Sequence, residues 1–188
     1  MKIPLLWIGA GVALFVLRKN VVNSLASITD KATWTRKMYA VIDTELNNLP
    51  LLSKFIVLAH AALESGYGQN RAGKVGNNYF NIIAWSSWKG EKWLCSGCDK
   101  DGRGNPIDQV WRKYSSVNAA VLDYWNFLGP NQNSGRYAVA QQALLLGNLP
   151  GFVHGLYRGG YFTSDPSQYL TNMTNVVATV QRFVKKLA

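Results

Sequence analysis

His60-Ala61-Ala62-Leu63-Glu64-Ser65-Gly66-Tyr67-Gly68 is the stretch on which the reading of this chain turns. It closes a segment, 50–65, in which Leu51, Leu52, Phe55, Ile56, Val57, Leu58, Ala59, Ala61, Ala62 and Leu63 leave no wide polar face. A helix that is apolar all round is surrounded by protein, so this one is expected at the centre of the domain, opened by Pro50 and stopped by the glycines that follow Ser65. Glu64 is the one carboxylate on it, in the last turn and four residues after His60, on the same face. A buried glutamate is rare without a purpose. The negative end of the helix dipole and apolar surroundings both disfavour ionisation, so the pKa of Glu64 is expected to rise, as suits a general acid. The competing reading is a half-exposed charge at a helix end. The whole chain holds three glutamates, Glu45, Glu64 and Glu91, so glutamate chemistry has few places to sit.

Outward from this stretch the chain is mainly helical. Thr29 or Asp30 caps a helix over 30–47, and further helical patterns cover 116–128, 135–146 and 148–156. A last helix starts at Asp165 and Pro166 and runs to 186 with lysines in its final turn. Between 85 and 114 the texture is aromatic and turn-rich, with possible strands at 91–94 and 107–114 around a Gly-, Asp- and Pro-containing loop; this predicts a small β-hairpin lobe. With 188 residues, 48% apolar and 12% aromatic, the chain supports one globular core and is neither disordered nor repetitive.

HAALESGYG (60–68), followed by NNYFNIIA (77–84), resembles the glucosaminidase branch of the lysozyme-like superfamily, whose pattern is Ala-x-Glu-Ser-Gly-x-Gly and then Asn-Leu-Phe-Gly-Ile-Lys. VWRKYSSVNAAVLDYWNFL (110–128), RYAVA (136–140) and GGYFTSDPSQYL (159–170) are similar to that family's later elements, in the same order. The resemblance covers 30–187. It implies an α+β, mainly helical lysozyme-like fold with the hairpin lobe, and an enzyme that cuts the glycan strand of peptidoglycan, most readily an endo-β-N-acetylglucosaminidase. A muramidase or lytic transglycosylase shares the same core and acid. Two departures stand out: Asn81 and Ile83 replace the family's Gly and Lys, and Phe162 replaces a small residue after Gly160-Tyr161.

By this resemblance Glu64 is the proton donor. Glycoside cleavage usually uses a second carboxylate, and Glu91, in the lobe, is the candidate, with Asp99 and Asp101 as rivals; assistance by the substrate's own N-acetyl group would dispense with it. A solvated strand-edge charge beside Lys89 and Lys92 explains Glu91 equally well. Tyr67, Asn78, Tyr79 and Trp85 follow the acid closely, and Tyr137 and Tyr161 match family positions; these six are the expected substrate contacts, whereas Phe80 and Trp125 read as core. His60 reads as a satisfied core histidine.

Cys95 and Cys98 form a lone C-x-x-C. Four zinc ligands are not at hand, and a redox role lacks its βαβ context, so a disulfide stapling the lobe is favoured if the domain reaches an oxidising compartment. No metal or organic cofactor is called for.

The remaining signals concern location. Residues 3–17 are an apolar run between Lys2 and the pair Arg18-Lys19, short for a bilayer at roughly 22 Å. Arg18-Lys19-Asn20 interrupts the neutral region a cleavable signal needs. An uncleaved transmembrane anchor over 1–20, a linker over 21–29 and the enzymatic domain over 30–188 are therefore expected. The heavier basic flank points inward, an awkward orientation for a wall enzyme that the membrane of a bacteriophage virion would relieve. The net charge of +10, or +7 without Lys2, Arg18 and Lys19, favours an anionic partner such as the bacterial cell envelope. No nucleic-acid-binding motif is present, and nucleic acid is not an expected partner. The rival of another class is a catalytically inactive, membrane-tethered structural or wall-binding protein.

Overall fold

Ten of the fifteen residues of the helix Leu51–Ser65 are buried, and the rest of the fold is wrapped around it. The computed structural model describes residues 25, 29–100 and 103–185. In chain order these form α1 (Lys31–Glu45), α2 (Leu51–Ser65), α3 (Arg71–Gly76), β1 (Lys92–Lys100), β2 (Pro106–Arg112), α4 (Val117–Leu128), α5 (Ala138–Leu145), α6 (Leu149–Arg158) and α7 (Pro166–Lys185). The apolar segment 3–17 and the rest of the expected anchor lie outside the described residues. Among the described residues no helix is long and apolar enough to cross a membrane. Leu25, inside the expected linker, is 1% exposed and packs in the core.

Local chemistry sets most boundaries. Asp30 caps α1 by accepting from the Thr33 N–H at 2.6 Å, and Ser116 caps α4 through the Ala119 N–H at 3.1 Å. Gly66, left-handed at φ 58°, ends α2 and returns its N–H to the Ala62 carbonyl. The short α3 escaped the sequence reading, because six residues with two glycines carry no apolar period; Asn70 caps it by accepting from Gly73 N–H at 2.8 Å. The helix expected over 135–146 starts later, at Ala138, since Asn133, Ser134 and Gly135 take positive φ in a short 3-10 turn before it.

β1 and β2 pair antiparallel, from Lys92 opposite Arg112 to Lys100 opposite Pro106, with an irregularity between Cys95 and Asp99. There the Cys95–Cys98 disulfide closes a turn within the strand, with Gly97 left-handed at φ 66°. This is why β1 runs beyond the expected end at Leu94: the strand absorbs the C-x-x-C as a bulge instead of stopping at it. Residues 82–84 join the sheet, since Arg112 N–H donates to Ile82 O at 3.1 Å and Ala84 N–H to Val110 O at 2.9 Å.

The lobe is fastened to the helices by one buried cluster. Asp123 on α4 accepts from Arg112 Nη1 at 2.7 Å and from the Tyr114 hydroxyl at 2.6 Å, and the Arg112 guanidinium lies 4.5 Å over the Trp88 ring. Beneath, Trp34, Ile56, Leu58, Phe80, Tyr124, Phe152 and Met173 form a single core, with Phe80 and Tyr124 stacked at 3.8 Å. On the far side α5 and α6 cross backbone to backbone at Gly155, where a Cβ would stand 2.4 Å from Ala140 N.

Candidate active site

Glu64 emerges from the last turn of α2 with 18% of its side chain exposed, and two other parts of the chain, with one residue of its own helix, converge on it. The Tyr169 hydroxyl, from the first turns of α7, donates to Oε1 at 2.7 Å. Asn81 Nδ2, from the loop after α3, donates to Oε2 at 3.1 Å and to the Glu64 carbonyl at 2.8 Å. His60 Nε2 lies 3.5 Å from Oε1 while its Nδ1 bonds the Tyr124 hydroxyl at 2.7 Å. The imidazole is wholly buried, as the core reading of His60 has it, yet it faces the carboxylate across one helical turn.

These contacts reverse one expectation. Burial pushes the Glu64 carboxyl up, but His60, Tyr169 and Asn81 all favour the ionised form and together outweigh burial, so the carboxyl lies below its ordinary value in the unliganded site. The apolar helix and its dipole push the pKa up; the donors that pull it down arrive from residues 17 and 105 positions away in the chain. Burial and the adjacent carboxylate hold the phenols of Tyr124, Tyr161 and Tyr169 well above their usual range, so all three remain proton donors.

Two hollows open beside this cluster, and Asn81 lines both. The larger, about 290 Å³, runs between α3 and the lobe past Asn70, Arg71, Trp93, Asp99 and Trp111. The smaller, about 90 Å³, is bordered by Trp85, Phe127, Arg136, Tyr137 and Tyr161. Glu64 itself borders neither of these two hollows; Asn81, which lines both, bonds its carboxylate and so links it to their aromatic and hydrogen-bonding walls.

The six expected contacts divide. Trp85, 54% exposed, and Tyr137 and Tyr161 border the smaller hollow. Tyr161 also donates to the Phe80 carbonyl, which ties the loop before α7 to the loop after α3. Tyr67 is partly exposed beside Glu64, left-handed at φ 60°, with its ring edge-on to Trp34. Asn78 and Tyr79 are corrections: both are fully buried and have no surface to offer a ligand. Asn78 instead braces its loop, donating to Ile82 O and Arg112 O and accepting from Ile82 N–H, and Tyr79 packs edge-on against Trp34. Glu91 precedes β1, is solvent-exposed, and pairs with Lys113 Nζ at 3.0 Å. Asp99 lines the larger hollow, and Asp101 lies outside the described residues.

Tyr169 and Asn81 were not among the expected site residues. Tyr169 stood in the quoted element GGYFTSDPSQYL, three residues after Pro166, a placement that turns it inward from the first turn of a helix. Among the described residues no three His, Cys, Asp or Glu side chains gather as metal ligands would.

Residues 42–182 match the family described as mannosyl-glycoprotein endo-beta-N-acetylglucosaminidase. The chain is 31% identical over 175 residues to the peptidoglycan hydrolase FlgJ of Vibrio cholerae, covering 90% of this chain and 50% of that protein. It thus spans about half the length of the curated relatives it matches. Among solved structures it is similar to a peptidoglycan hydrolase from Sphingomonas sp. A1, with a TM-score of 0.64 at 25% identity over 84% of this chain and 95% of that one. It is also similar to the glycoside hydrolase domain of Salmonella typhimurium FlgJ, with a TM-score of 0.58 at 25% identity over 81% and 99% of the two chains.

Proposed function

Because the chain belongs to the glucosaminidase family, we propose that it hydrolyses the glycan strand of peptidoglycan as an endo-β-N-acetylglucosaminidase, with Glu64 as the proton donor. The observation that carries the reading is the placement of Glu64: a mostly buried carboxylate bonded by Tyr169 and by Asn81, the residue that borders both hollows. A glycan lying across both hollows brings one glycosidic oxygen to Glu64. Its arrival excludes water from a carboxylate that is ionised in the open site, which strengthens the tendency to take up a proton and pass it to the leaving oxygen. Tyr169, whose own proton is held firmly, steadies Oε1 throughout.

The positive charge developing at the anomeric carbon needs an anionic or nucleophilic partner. In this reading Glu91 supplies it if the lobe swings inward and releases Lys113; the substrate's N-acetyl oxygen supplies it if the lobe stays where it is. Action at the bacterial cell envelope agrees with the basic surface, whose attraction for an anionic wall salt will weaken. Attachment to a membrane through 3–17, whether of a cell or of a virion, predicts that the full chain needs detergent to stay dispersed.

The test is digestion of purified peptidoglycan by the full chain, with Glu64→Gln and Glu91→Gln beside it and mass spectrometry of borohydride-reduced products. Reduced N-acetylglucosamine ends, absent with Glu64→Gln, support the proposal. Reduced N-acetylmuramic acid or anhydro-muramic ends would assign muramidase or lytic transglycosylase chemistry. No product from folded wild type on wall from several hosts would make the chain a wall-binding protein. Loss with Glu91→Gln selects the two-carboxylate route.

A further inference from the structure

We propose that Asn81 is a positioning residue for Glu64, its side-chain amide holding Oε2 at 3.1 Å beside the two hollows that Asn81 lines. This rests on the reading of Glu64 as the acid. The family pattern carries glycine at this place, and the backbone shows why a small or special residue is needed: Asn81 has φ 50°, in the left-handed region that asparagine tolerates better than most side chains. What asparagine adds, and glycine cannot, is the amide.

The direction of that amide follows from a chain of bonds anchored on the main chain. Gly73 N–H is unambiguously a donor and bonds Asn70 Oδ1 at 2.8 Å. Asn70 Nδ2 therefore points the other way, to the Glu64 carbonyl at 3.2 Å and to Asn81 Oδ1 at 2.8 Å. With its oxygen engaged there, Asn81 presents Nδ2 to Glu64, where it meets both the carbonyl at 2.8 Å and Oε2 at 3.1 Å. One amide thus shares with Asn70 the Glu64 carbonyl at the C-terminal end of α2 and orients the carboxylate of the same residue. The other groups facing Glu64 are His60 on its own helix, Tyr124 on α4, Tyr161 before α7 and Tyr169 on α7. Of these, His60 and Tyr169 lie at Oε1, on the other side of the carboxylate from Asn81.

A donor held on a carboxylate favours its ionised form, so removing it must make Glu64 hold its proton to higher pH. With three glutamates in the chain, full-length protein labelled at glutamate Cδ gives three carboxyl titration curves by carbon NMR, and the one missing in Glu64→Gln belongs to Glu64. In Asn81→Gly, which accepts the left-handed backbone, the Glu64 curve should move to higher pH with those of Glu45 and Glu91 unmoved. The alkaline limb of kcat/KM should move with it, raising the rate at pH 8 relative to the optimum roughly threefold. Asn81→Asp should move the Glu64 curve further and split it into two steps, as two facing carboxylates do. An unmoved Glu64 curve in Asn81→Gly, or a moved curve with an unmoved pH profile, overturns the proposal. Full activity in Glu64→Gln would instead overturn the assignment of the acid, and the NMR curve separates the two failures.

Discussion

Replacing Asp123 with alanine takes the carboxylate acceptor from two largely buried donors: the Arg112 guanidinium, whose side chain is 4% exposed, and the Tyr114 hydroxyl. Removing one member of a buried ion pair usually costs about 3–5 kcal/mol, because the remaining charge keeps its desolvation penalty. Two observations place this case at the lower end. Asp123 itself is 20% exposed, so water reaches part of the vacated space, and Arg112 retains its bond to the Ile83 carbonyl at 3.3 Å and its stacking on Trp88. We expect about 3 kcal/mol, which for a chain of this size lowers Tm by roughly 6–12 °C. Denaturant titration followed by tryptophan fluorescence measures it, since Trp88, Trp93 and Trp111 all report on the lobe. The decisive comparison is the double variant with Arg112→Met, which removes the stranded charge while filling much of its volume. It should be more stable than the sum of the two single losses predicts, by at least 1 kcal/mol. A loss below about 0.5 kcal/mol for Asp123→Ala, or strict additivity in the cycle, would refute the claim that this cluster fastens the lobe to the helices.

Three further outcomes follow from the same geometry. Tyr169→Phe removes the donor on Oε1 at 2.7 Å and should lower kcat/KM roughly tenfold or more and cost about 1.5–3 kcal/mol of stability; steady-state kinetics on soluble glycan and denaturant titration check it. Because the folded carboxyl of Glu64 lies below its ordinary value of 4.5, its ionised form contributes stability that is fully present above that pH and is lost as pH falls through the lower folded value. Glu64→Gln should therefore show a flatter stability curve on the acid side, read by denaturant titration from pH 6 to 3. Gly155→Ala should cost about 1–3 kcal/mol by prising α5 from α6, since its Cβ would meet backbone atoms at 2.4 Å that cannot rotate away; a neutral result by calorimetry would contradict the close crossing.

The helices were legible because their signals are local. Asp30, Pro50, Ser116, Asn148 and Asp165 mark starts within a turn of where the structure begins them, and the unbroken apolar run of α2 placed Glu64 correctly at the end of a buried helix. What was not legible is everything that depends on partners distant in the chain. Asn78 and Tyr79 follow the acid closely and looked like contacts, but proximity in sequence does not say which way a side chain turns, and both turn into the core. The state of Glu64 was misjudged for the complementary reason: its helix was visible, and its donors were not. Asn81 was visible as a departure from a pattern, and its meaning required knowing that the left-handed turn aims its amide at the acid.

Tyr169 and Glu64 lie 105 residues apart, and the phenol belongs to the last helix of the fold. On a ribosome, α2 and its carboxylate leave the exit tunnel long before α7 is made, so a nascent chain carries the acid without the group that steadies it. The Oε1 contact is made only once the C-terminal helix has emerged. A stop codon before residue 169 would remove Tyr169 together with Met173, Val177 and Val180 of the core, so the bond to Glu64 and the packing around α2 would be lost together.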